Sequence, residues 1–206
     1  MEKFKNFLYY EWKKIVAVLF VIILVVVTVK QCNDKVHTDL GVLYIGDIRT
    51  ENFSAIKTEF ESAKIVSDVD SDGKVTIKTR EIFIPQSEEL KLEQQVPQQI
   101  QVEIISGENL LYILNEQTAR NNAVEMSFAD ITEVAQKFGI PEDECIKYSD
   151  GKIFAIPLDE NKLLEDLGIN NMGMYIAQRN YKEENKNIPS NLNARKAMEY
   201  ILKKSN

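Results

Sequence analysis

Histidine is almost missing from this chain: His37 is the one imidazole among 206 residues. A Ser-His-Asp or Cys-His mechanism needs a base held against its nucleophile. His37 instead falls in a polar stretch directly after a long apolar run. Cysteine is nearly as scarce. Cys32 and Cys145 make no disulfide framework, and with a single histidine they cannot fill a tetrahedral zinc site. The eight glycines form no phosphate-cradling loop. Positive charge is in deficit, 25 Lys+Arg against 32 Asp+Glu, whereas a nucleic-acid binder needs a basic stripe to neutralise phosphates. Acidic runs such as Glu88-Glu89 and Glu142-Asp143-Glu144 read as solvated faces, because general acid chemistry needs a buried carboxyl with a shifted pKa. Cys145, between Glu144 and Ile146, reads as a core residue rather than a nucleophile. Together these absences predict a protein that is not an enzyme.

What the chain does have is one uninterrupted apolar stretch, Ile15 to Val29, in which Thr28 is the sole polar residue. A bilayer core calls for about 20 apolar residues, so this stretch is short. Tyr9, Tyr10 and Trp12 can sit at the interface, and Lys13, Lys14 and Lys30 can snorkel outward along their stems. Phe4, Phe7, Leu8 and Trp12 recur at helical spacing, so the first turns suit the headgroup region. The reading is a transmembrane helix over 15–29, preceded by a cytoplasmic or interfacial segment, 1–14. Cleavage as a signal peptide would need small residues before the cut, and Val29-Lys30-Gln31-Cys32 supplies none. The same flank is wrong for a lipid-modified Cys32. Lys3, Lys5, Lys13 and Lys14 precede the span while Lys30 and Lys35 follow it closely, which predicts a cytoplasmic N-terminus and an extracytoplasmic C-terminal domain.

After a polar linker, 30–39, an α/β domain is expected over 40–206. Leu40–Asp47 is a compact apolar run, the pattern of a buried strand. Phe53, Ile56, Phe60 and Ala63 then fall three and four apart, one face of a helix within 50–65. Residues 74–85 alternate and are rich in β-branched side chains, predicting a second strand. A helix from Pro97 carries Ile100 and Ile104 on one face, with Gly107 as its stop, and residues 108–116 read as a third buried strand. Strand, helix, strand, helix, strand at these spacings predicts a mostly parallel sheet. Further on, Ser127 is a candidate cap for a helix ending at Gly139. Ser149-Asp150-Gly151 suggests a hairpin turn between 145–148 and 152–156. Residues 159–167 suit a short helix, 174–179 a strand, and 193–204 a closing helix with Ala194, Ala197, Met198, Ile201 and Leu202 on one face.

The order of these pieces, with Gly151-Lys152-Ile153-Phe154-Ala155-Ile156-Pro157 returning the chain to the sheet, resembles small membrane-anchored proteins of low-GC Gram-positive bacteria related to extracellular solute-binding proteins. The resemblance implies one three-layer lobe of such a protein, serving as a membrane-tethered binding module. Its implied partners are the membrane and a transporter permease or other envelope protein. Residues 36–206 are too few for two lobes, which leaves open an assembly component that docks on a membrane protein without a small ligand. Ligands of such folds sit beyond the carboxyl ends of strands. That places candidate ligand-binding residues at Gly46, Asp47, Asn115 and Glu116, residue types that equally suit strand-end turns and helix caps.

One local signal is more specific. In Asp68-Val69-Asp70-Ser71-Asp72-Gly73-Lys74-Val75-Thr76, oxygen ligands at positions 1, 3 and 5 and glycine at 6 match the start of an EF-hand-type calcium loop. Lys74 would contribute its carbonyl and Thr76 would occupy position 9. Position 12 is Thr79 rather than Glu, and Glu81 lies two residues beyond. Calcium is therefore a possible cofactor of weak affinity, the other reading being a solvated acidic turn into the second strand.

Overall fold

The computed structural model describes residues 12, 14, 16–25, 38–50, 52–85, 95–106, 109–123, 127–181 and 185–204. The chain divides into two units, Met1–His37 and Thr38–Asn206. In the first, residues 16–25 are helical with exposed apolar side chains. No helix among the described residues is long and apolar enough to cross a membrane. Ile15 and residues 26–29 of the expected span lie outside the described residues, as do most of 1–14 and residues 30–37.

The second unit starts two residues earlier than the sequence suggests. Asp39, read as linker, is 1% exposed and accepts from the backbone N–H of Val69 and of Thr76 at 2.6 Å each. A carboxylate taken out of water persists only with such donors. It anchors the entry to β1 (Leu40–Gly46), buried along its whole length.

A six-stranded mixed sheet runs in the order β2-β1-β3-β6-β5-β4. Its other strands are β2 (Ile77–Phe83), β3 (Leu111–Asn115), β4 (Ile146–Lys147), β5 (Ile153–Pro157) and β6 (Met174–Gln178). β1 pairs in parallel with β2 and β3, whereas β6 is antiparallel to β3 and β5, and β4 to β5. β1, β2, β3 and β5 therefore point one way, β4 and β6 the other.

The two-residue side-chain period of each strand sorts the core into two clusters. Leu40, Val42 and Tyr44 of β1, with Leu111 and Ile113 of β3, face one side. That side is covered by α1 (Ala55–Ala63), α4 (Thr132–Lys137), α5 (Lys162–Asp166) and α6 (Pro189–Lys203) through Ile56, Phe60, Val134, Leu164, Met198 and Ile201. Leu43, Ile45, Tyr112 and Leu114 face the other side, under Ile100 and Ile104 of α2 (Gln95–Ser106) and Ala119 of α3 (Glu116–Asn121). This is an α/β lobe with helices on both faces, and it explains why β1 and β3 read as unbroken apolar runs.

The connection from β5 to β6 covers residues 158–173 and holds α5, and β6 then runs antiparallel beside β5, with the Leu158 N–H bonded to the Met174 carbonyl at 2.8 Å. The expected turn at 149–151 forms the β4–β5 hairpin: Gly151 has φ +88 and its N–H donates to the Tyr148 carbonyl at 3.0 Å. Ser127 caps no helix; α4 starts five residues later, where Asp130 accepts from the N–H and hydroxyl of Thr132. Gly107 lies outside the described residues.

Candidate functional site

β1 leads through α1 to β2 on one side of it; β2 leads through α2, over the opposite face, to β3 on the other side. The connections thus diverge between β1 and β3, and open α/β sheets bind ligands outside the carboxyl ends of the strands at such a point. A cleft of about 660 Å³ lies there. Asp47 follows β1, Ile84 and Pro85 follow β2, and Asn115 ends β3. Ile100 and Gln101 of α2 form one wall, Gln117 and Asn121 of α3 the other. Its volume falls within the usual range for small-molecule sites, about 300–1,000 Å³.

The four residues nominated from the sequence divide. Asp47 and Asn115 both line the cleft. Asn115 also caps α3, accepting from the Thr118 N–H at 2.9 Å. Glu116 faces an adjoining hollow of about 530 Å³ and pairs with Arg120 at 2.7 Å, an exposed pair of small energetic weight. Gly46 lines neither hollow; a Cβ there would stand 2.8 Å from the Tyr44 ring, so glycine admits the folded-back tyrosine. Burial pushes the Tyr44 phenol above its ordinary pKa, and it donates to the Ile48 carbonyl at 3.4 Å. Gln101, Gln117 and Asn121 carry no sequence signal of their own. They become neighbours only because α2 and α3 pack on the same face.

The acidic loop 68–76 is built around its own backbone. Asp68 accepts from the N–H of Ser71 at 2.7 Å and of Gly73 at 2.8 Å, Asp70 from Asp72 at 3.1 Å, and Asp72 from Lys74 at 2.7 Å. The Gly73 bond leads the causes that hold the Asp68 carboxyl below its ordinary range. Ser71 and Gly73 sit at φ +61 and +84, the latter a conformation suited to glycine. Ligand atoms of Asp39, Asp68 and Asp70 lie within 4.8 Å of one another. Asp39 was not foreseen as a member, because sequence spacing does not bring a residue so far upstream to the loop. Asp72 lies outside that trio. The Thr76 carbonyl is turned to β1, accepting from the Asp39 N–H at 2.9 Å. Glu81 accepts from the Thr50 N–H at 2.9 Å, so it is engaged elsewhere. The three clustered carboxylates form a generic acidic group able to hold a cation through hard oxygens.

Comparison with known proteins adds no relative: no family model, no curated protein and no solved structure matches this chain.

Proposed function

We propose that this chain is a membrane-tethered, extracytoplasmic binding module of solute-binding-protein descent, without catalytic activity. The observation that carries the reading is the cleft of about 660 Å³ at the divergence between β1 and β3, where Asp47 and Asn115 meet an aliphatic wall. A concave, partly apolar site with a few convergent polar groups is what a small-ligand binder needs. Tethering rests on the apolar stretch 15–29 and its lysine flanks. The test is a small-solute screen by thermal shift on the full-length protein in detergent, run beside Gln101→Trp. Gln101 is an exposed cleft-lining residue of α2, so tryptophan there fills the cleft without entering the core. A solute that raises Tm in the parent and not in the variant supports the reading; no such solute in the screen rejects it.

A second reading has its own observation. Val102 and Ile105 of α2 are 61% and 75% exposed, a pair of apolar side chains one turn apart on the outer face. An assembly component that docks on a partner membrane protein would use such a face. In-membrane crosslinking from position 105 separates the two: capture of an envelope protein, together with an empty solute screen, favours assembly.

A further inference from the structure

We propose that the strand-end cleft takes an uncharged, hydroxyl-bearing ligand of the sugar class; this rests on the binding-module reading above and deepens it. The charge of the lining comes first. Among the described lining residues Asp47 is the only ionisable side chain, and none is Lys, Arg or His. An anion entering the cleft would lose water without gaining a counter-charge and would face a carboxylate, so anionic solutes are disfavoured.

The polar rim narrows the choice further. Gln101, Gln117 and Asn121 present carboxamides from the two facing helices, and none makes a side-chain hydrogen bond to another described residue. Each carboxamide offers donors and an acceptor together. An ammonium group gives only donors, so it can use the amide carbonyls but leaves the NH2 groups without an acceptor. A hydroxyl both donates and accepts, and can replace water on every one of these groups without leaving a donor or acceptor unmatched. The same cleft is also lined by the aliphatic side chains of Ile84, Val96 and Ile100. A pyranose ring has a C–H face for those side chains and a fringe of hydroxyls for the carboxamides. A carboxylate such as Asp47 accepting from hydroxyls completes the match.

The test titrates the full-length protein in detergent by calorimetry with three probes of different charge: N-acetylglucosamine, succinate and putrescine. Saturable binding of the sugar, at millimolar affinity or tighter, is expected, with none for the diacid or the diamine. Gln101→Trp and Asn121→Trp, which enter the cleft from opposite walls at exposed positions, are each expected to abolish it while leaving the unfolding midpoint unchanged. Tryptophan-sensitive binding of succinate or putrescine instead of the sugar overturns the ligand class and leaves the binding module standing. Failure of all three probes also overturns it, and the wider solute screen then decides the fate of the module. Sugar binding that survives both substitutions places the ligand elsewhere and overturns the proposal as well.

Discussion

Asn193 breaks the apolar face of the closing helix and is fully buried there. Its amide donates to the carbonyls of Asp39 (3.2 Å) and Ser67 (2.7 Å) and accepts from the Ser67 N–H (2.9 Å). One side chain thus ties α6 to the entry of β1 and to the segment after α1. Asn193→Ala leaves the buried Asp39 carbonyl without this donor and removes both bonds to the Ser67 backbone, and a loss of about 2–4 kcal/mol in urea unfolding is expected. Nothing in the periodicity marks this residue, since its three bonds reach 126 and 154 positions along the chain. Cys145 was legible as core and is buried, with its thiol pushed up to about 11 by burial ahead of any neighbouring charge. Because burial favours the neutral thiol, its contribution to stability is fully present below the unfolded value near 9. That contribution is lost as pH rises through 11. In a Cys32→Ser protein, a disulfide reagent at pH 8 is expected to label no thiol in buffer and one in urea. Labelling in buffer at the rate seen in urea would contradict the burial.

Among elements, legibility followed how local the cause was. The β4–β5 hairpin was readable because one glycine in a three-residue turn decides it. The closing helix was readable from its apolar stripe and proves longer, starting at Pro189, a residue suited to the first helical turn. The direction of β6 is not written in its own residues: alternation marks a strand without its sense, and the antiparallel pairing with β3 and β5 is set by the tertiary fold. The acidic loop was legible as a motif, while its fourth aspartate, Asp39, was not. Its proposed calcium affinity has a clean test. Asp70→Asn with Asp72→Asn keeps a side-chain oxygen on each of the two N–H groups those residues serve, yet removes two charges. Millimolar calcium is expected to raise the Tm of the parent and not of the double variant. An equal rise in both would dismiss these residues as ligands.

At the scale of the molecule, the divergence of connections between β1 and β3 gathers the ends of three strands and two helices around one cleft. Strand order is what makes that site. The expectation of a parallel core drew attention to Asp47 and Asn115, and both line the cleft. The facing carboxamides of α2 and α3 needed the tertiary fold, since no spacing rule pairs residue 101 with residue 121. The most direct measurement of ligand occupancy follows from the buried state of Cys145. A Cys32→Ser, Asn121→Cys protein carries one exposed thiol on the cleft wall, so its labelling rate by a small maleimide reports access. The small-solute fraction of spent culture medium is expected to slow that labelling while leaving an exposed control, Thr58→Cys of α1 on the far side of the sheet, unchanged. Equal labelling of Asn121→Cys with and without that fraction would contradict a ligand in the cleft.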